Sequence, residues 1–304
     1  MQNCNRESEM TDRIPMVWDM ETQDPDDFLT LLLLLGHPRV DLKAVTITPG
    51  TPAQIGVVKH GMHLMGKDIP VGAYDRNYPK DCVSPWHYRA YGECKPDGEA
   101  EYGPELILRI CDQSTTMVTG APLKNLGAAI ALGIREGTPL RLGRLYAQGG
   151  FAGEGVVPPE KQLPKFKGRT TFTTFNLNGD PRSAFDVLDC SGIDERHFVS
   201  KNVCHGVIYD QEIHKRVEPL RIESRSLDLI YHGMEVYLAK NPKGKALHDP
   251  LAACCAIDEG IGSWAEVEIY RENGEWGSHL YLGSHTWIIT DYNHERFLQV
   301  FCAR

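Results

Sequence analysis

The sequence predicts an α/β fold in which a mainly parallel, open sheet is flanked by helices. Two observations carry this expectation. Short runs rich in β-branched residues alternate with apolar stretches of helical length, the pattern of βαβ units, in which helices of about 10–15 residues separate the strands. In addition, a dense group of acids falls just after the first strand-like run, at the strand end where open α/β sheets place their ligands.

Residues 16–19 read as a strand running into acids. Residues 27–36 (DFLTLLLLLG) read as a helix with Asp26 as N-cap and Gly36 as its stop. A β-branched strand at 40–48, a Pro49-Gly50 turn, a helix at 54–65 and a strand beginning at 70 follow. The alternation continues with strand 114–118, helix 125–136, strand 144–147, helix 180–190 and strand 196–203. A further apolar helix occupies 252–257, with Asp249 as N-cap and Pro250 at the first helical position. Residues 75–102 and 151–169 read as long loops of the kind that serve as binding loops or as decoration. No repeat or low-complexity linker divides the chain, so residues 14–304 are expected to form one domain. Residues 1–13 read as a disordered tail, with Met10 a candidate initiator.

The 304 residues are 41% hydrophobic and 24% charged, an ordinary globular balance, and carry a net charge of -9. An acidic chain gains nothing from counterion release, which argues against a nucleic-acid partner. The longest apolar run, 31–35, is far below the ~20 residues that span a bilayer, and no signal peptide is visible, so no membrane partner is expected. Nine cysteines, an odd number without a zinc-type CxxC pair, point to reduced thiols and a cytoplasmic protein. No P-loop or GxGxxG follows the first strand, and no serine nucleophile elbow is present.

Residues 19–27 (DMETQDPDD) hold five acids in nine positions. Helix capping accounts for Asp26 and Asp27 but not for Asp19 and Glu21. Carboxylates this close repel unless a cation compensates them, and oxygen-only ligands favour Ca²⁺ or Mg²⁺. On spacing alone, a metal site and capping with chance clustering both stand. The same two readings apply to the segment LHDPL at 247–251. Trp86, His87, Tyr88 and Tyr91 form either a base-stacking wall or, as we favour, loop packing. His205 and His232 read as structural, and Gly149-Gly150 as a strand-end turn or a close approach to a sugar.

Taken in order, WDMETQDPDDFLTLLLLL, VDLKAVTITPG, MVTGAPLKNL, TFNLNGDPRSA, NVCHGVIYDQE, ALHDPLAACCAID and ITDYNHERF resemble the motifs of the inosine–uridine-preferring nucleoside hydrolase family over residues 16–299. The resemblance implies a Rossmann-like, nucleoside-hydrolase-like sheet, one Ca²⁺ ion, a small-molecule nucleoside or nucleotide as partner, a homodimer or homotetramer, and a role in purine or pyrimidine salvage. By matching position, Asp27, Asp249 and the Thr119 backbone carbonyl would hold the metal. Glu21 would join them and act as general base, with Asp19 a competing candidate. Asp26 and Asn176 would hold the ribose hydroxyls, and His248 would protonate the leaving base. These residue types suit the reaction: N-glycosidic cleavage builds oxocarbenium-like charge, which carboxylates stabilise, while a cation lowers the pKa of water.

Two substrate-binding positions depart from the family pattern. Thr51 stands where Asn is usual, and Thr174 where Glu is usual before Phe175-Asn176. Loss of a carboxylate and the presence of Lys165, Lys167 and Arg169 suggest a substrate altered at the 5′ end, such as a 5′-monophosphate, against the alternative that these cations lie on a solvated loop. A ribose-binding protein without turnover is the other-class alternative; a base within reach of the water distinguishes the two.

Overall fold

The computed structural model describes residues 13–304, so the expected tail lies outside the described residues except for Arg13. The chain begins its sheet with β1 (Ile14–Met20), β2 (Val40–Ile47), β3 (Val71–Ala73), β4 (Glu101–Tyr102), β5 (Thr116–Thr119) and β6 (Leu142–Gln148). It continues with β7 (Thr171–Phe172), β8 (Ile193–Val199), the small pair β9 (Ile208–Tyr209) and β10 (Lys245–Ala246), and finally β11 (Gly262–Glu272), β12 (Glu275–Leu280) and β13 (Thr286–Tyr292). Eleven strands form one sheet in the order β4-β3-β2-β1-β5-β6-β8-β13-β11-β12-β7. Pairing is parallel from β4 to β13 and antiparallel among the last three.

Strand order reverses at β1. β2, β3 and β4 build outward on one side, and β5, β6 and β8 on the other. The chain therefore leaves the carboxyl ends of β1 and β5 in opposite directions and opens a crevice between them. β1 can lie at this centre because Met16, Val17, Trp18 and Met20 are apolar on both faces and buried, as central parallel strands require.

Helix Pro25–Gly36 has no solvent face; Phe28 through Leu35 are all buried, against helices Pro52–Leu64, Arg225–Leu238 and His248–Ile257. It starts earlier than its sequence suggests. Asp24 occupies the N-cap position and Pro25 the first turn, so Asp26 is not the cap but lies inside the helix. Gly36 is the last helical residue, and a side chain there would collide with Ser226; close packing, not a left-handed stop, requires the glycine. Helix His248–Ile257 likewise starts ahead of Asp249, with Leu247 at the cap position, so Asp249 is also a first-turn residue.

The strand expected at 196–203 ends at Val199, where Ser200 accepts a hydrogen bond from Asn202 N and starts a single helical turn, Lys201–Cys204. The β11–β12 hairpin turns through Asn273 and Gly274, at φ 51° and 84°, an Asn-Gly pair that accepts two left-handed residues. Loop 75–102 contains helix Pro85–Tyr91. Trp86 Nε1 donates to Gly233 O at 3.0 Å and Tyr91 OH to Leu229 O at 3.0 Å, so these aromatics pack the loop onto helix Arg225–Leu238. Among the described residues the cysteines are free thiols, and no helix is long and apolar enough to cross a membrane.

Candidate active site

The acids leaving β1 divide into two kinds. Asp19 is fully buried, and its carboxylate accepts from Thr46 Oγ1 at 2.7 Å, Asn125 Nδ2 at 2.9 Å and Thr119 Oγ1 at 3.1 Å. It ties β1 to β2 and β5 and does not line the cavity. Burial raises it to about 6 against those three bonds. Glu21, two residues on, does line the cavity, and its backbone N–H donates to Asp27 Oδ1 at 2.9 Å.

Asp26 is held on both oxygens. Oδ2 accepts from His248 N at 2.9 Å and Asp249 N at 3.2 Å, and Oδ1 lies 3.0 Å from Lys245 Nζ. These contacts tie the start of helix Pro25–Gly36 to the start of helix His248–Ile257. Asp249 lies against Gly120 just past β5, where a Cβ would stand 2.5–2.6 Å from its carboxylate atoms; only glycine admits the acid there. Ligand atoms of Asp26, Asp27 and Asp249 all come within 4.8 Å of one another.

This geometry has an electrostatic consequence. Burial, with Asp19 adding repulsion, pushes Glu21 up to about 8. Burial and the charges of Asp26 and its neighbours push Asp27 and Asp249 well above the carboxylate range. Asp26 goes the other way: burial opposes its charge, but Lys245, His248 and the Asp249 amide outweigh it. Buried, oxygen-only and short of positive charge, Asp27 and Asp249 suit a hard divalent cation, and Glu21 lines the same cavity.

The acids form one wall of a cavity of about 590 Å³, within the size range of small-molecule sites. Gly120, Gln148 and Gly149 line its floor; the backbone turns there through Gly150 at φ 74°. Asn176 donates through Nδ2 to Gly120 O at 2.9 Å and Gln148 Oε1 at 2.8 Å. Thr174 is buried on the rim, and its hydroxyl has no partner. Phe175 beside it is 69% exposed. The other wall carries Lys201 and His205; His248 stands in the same first helical turn as Asp249, its ring 4.6 Å from that of His205. Burial, then His248 and Lys165, pushes His205 down to about 3; burial also lowers His248, whose Nδ1 is enclosed without a partner.

Of the residues singled out from sequence, Glu21, Asp26, Asp27, Thr174, Asn176, His248 and Asp249 line this cavity. Thr119 lies beneath it, its hydroxyl on Asp19, while its neighbour Gly120 reaches the floor. Thr51 is elsewhere: its hydroxyl donates to Asp81 O at 2.8 Å and accepts from Gln54 N in a capping box for helix Pro52–Leu64. It is not among the residues that line the cavity. Trp86, His87, Tyr88 and Tyr91 are absent from the wall. Lys165 Nζ reaches His205 Nδ1 at 2.7 Å, Arg169 pairs with Glu275 at 3.0 Å, and Lys167 is exposed; none of the three lines the cavity. His205, expected to be structural, does line it. Lys201 and Lys245 had not been singled out. Ser200 carried a signal for Lys201, as an N-cap that ends the strand; Lys245 had none.

The model of the inosine-uridine preferring nucleoside hydrolase family matches residues 16–299. An uncharacterized protein of Aquifex aeolicus (strain VF5) is 27% identical over 291 residues, covering 92% of this chain and 95% of its own length. A pyrimidine-specific ribonucleoside hydrolase of Shewanella sp. (strain MR-7) is 25% identical, covering 81% of this chain and 80% of its own. Among solved structures, an inosine-guanosine nucleoside hydrolase superposes with TM-score 0.70 at 17% identity, over 95% of this chain and 97% of that one. A plant nucleoside hydrolase gives 0.67 at 19%, over 94% and 97%. Together with the acid-walled cavity at the sheet's switch point, the match places the chain in the inosine-uridine preferring nucleoside hydrolase family, enzymes that hydrolyse N-glycosidic bonds.

Proposed function

We propose that the chain hydrolyses the N-glycosidic bond of a ribonucleoside or a 5′-modified relative, using one Ca²⁺ held by Glu21, Asp27, Asp249 and the Thr119 backbone carbonyl. The observation that carries this reading is that Asp27 and Asp249 present carboxylate oxygens within 4.8 Å of each other on a ligand-sized cavity that Glu21 and Asp26 also line. When bound, a divalent cation supplies charge compensation and lowers the pKa of water.

This chain's residues do the rest. Glu21, on the cavity wall beside the cation, serves as general base for the attacking water. Asp26, held ionised, accepts a ribose hydroxyl. Asn176 uses its amide hydrogens on Gly120 and Gln148, which leaves its carbonyl oxygen as a second acceptor. The negative wall stabilises the oxocarbenium-like charge that develops as the bond breaks. His248, lowered by burial, faces the leaving base as a neutral imidazole and donates a hydrogen bond to it.

The unpartnered Thr174 hydroxyl and the Lys201 ammonium support a 5′ end extended by an anionic group, which makes Lys201, not the loop cations, its partner. A panel of ribonucleosides and their 5′-monophosphates, assayed for base release with and without chelator, tests both levels. Chelator-sensitive release supports the reaction, and faster turnover of the monophosphates supports the 5′ assignment. Preference for unphosphorylated nucleosides rejects the 5′ assignment alone. No release from any member rejects the whole reading.

A further inference from the structure

Distance alone would let Asp26 join Asp27 and Asp249 in gripping a cation, since all three present oxygens within 4.8 Å of each other. Lys245 opposes this. It lies on β10, paired with Tyr209 of β9, and is only 5% exposed. Its ammonium reaches Ala246 O at 2.7 Å, Asp24 Oδ1 at 3.0 Å and Asp26 Oδ1 at 3.0 Å, which uses all three of its hydrogens. With Asp26 Oδ2 on the two amides of helix His248–Ile257, both oxygens of Asp26 have fixed partners. The other acids are less engaged: Asp27 accepts one backbone bond from Glu21, through Oδ1.

We propose that Lys245 is a positioning residue that withholds Asp26 from the cation and reserves it for the substrate's ribose. The inference deepens the proposed function and rests on its cation site. The ammonium cancels one buried charge and draws Oδ1 toward the protein side, so that three acids and not four address the ion. Asp24, half-exposed at the head of the helix, anchors the ammonium from outside. Without Lys245, the nearest compensating charge for Asp26 is the cation itself, and the carboxylate turns toward it.

Lanthanide luminescence tests this independently of turnover. Tb³⁺ affinity and the number of waters on bound Eu³⁺, from lifetimes in H₂O and D₂O, are compared between the wild-type protein and Lys245→Met, alongside KM for a ribonucleoside. We expect Lys245→Met to bind Tb³⁺ at least about tenfold tighter, the scale of removing a unit charge several ångströms from the ion. We also expect one water fewer on Eu³⁺ and a higher KM. A lysine that acts on the ion only through its charge would tighten binding without removing a water, so an unchanged hydration number overturns the inference. Unchanged or weakened affinity overturns it as well. If Lys245→Met fails to fold, Lys245→Gln, which keeps a hydrogen bond to Asp26 but not the charge, is held to the same outcomes. A wild-type protein that binds no Tb³⁺, or an Asp249→Asn variant that binds it equally well, overturns the cation reading and this inference with it. Wild-type binding that is lost in Asp249→Asn but unchanged in Lys245→Met overturns this inference alone.

Discussion

The two walls of the cavity are built differently. The acid wall comes from the first turns of two buried helices, cross-linked through Asp26 to the His248 and Asp249 amides and seated against Gly120. The facing wall comes from a short turn after β8 and from loop side chains, with Lys201 and His205 beside an exposed Phe175. Rigid core elements hold the groups whose placement the chemistry depends on, and looser connections carry those that select the substrate.

If that division holds, damage to the acid wall is severe and independent of substrate. Asp27→Asn and Asp249→Asn should each lower kcat by roughly 10²–10³-fold on every nucleoside tested, the scale of losing one preorganised electrostatic group, and calorimetry should show cation binding lost. A variant with full activity breaks the comparison. Damage to the facing wall should depend on substrate. Lys201→Ala should weaken turnover of a 5′-monophosphate about tenfold, equivalent to some 1.4 kcal/mol, and leave the nucleoside unchanged; equal losses on both would remove the selective role.

The acid wall should also announce itself through pH. Glu21 is raised from 4.5 to about 8, so between those values the folded state holds a proton that the unfolded state has released, and stability falls as pH rises. Thermal melts of cation-free protein should show a declining Tm across that window, with added Ca²⁺ stabilising more at its upper end. A flat profile argues against the raised, buried Glu21. The smallest effect belongs to Thr174→Val. Removing an unsatisfied buried hydroxyl should stabilise the ligand-free protein by about 1 kcal/mol while raising KM a few-fold.

The same two walls differ in how far the sequence announced them. DMETQDPDD stood out because capping accounts for Asp26 and Asp27 but not for Asp19 and Glu21, and LHDPL because it resembles a family motif. Their local roles were misread, since Asp24 and Leu247 hold the cap positions and a first-turn acid looks the same in sequence. The parallel strands β1, β2, β3, β5, β6 and β8 were legible in sequence, whereas β4 fell inside a segment read as loop. The antiparallel strands β11 to β13 were not placed, although Asn273-Gly274 marked their first turn. Lys201 was hidden inside a predicted strand that Ser200 ends early. Lys245 is legible only in three dimensions, because the segments it joins are more than 200 residues apart. Thr51 caps its own helix.

The most direct test of the acid wall is calcium titration of chelator-treated protein, followed by base release from a ribonucleoside in wild type and Asp249→Asn. The account predicts that chelation abolishes release, that Ca²⁺ restores it in the wild type with saturation at one ion per chain, and that Asp249→Asn stays roughly 10²–10³-fold below wild type at the same calcium. Undiminished hydrolysis after exhaustive chelation, or full recovery of Asp249→Asn, would contradict it.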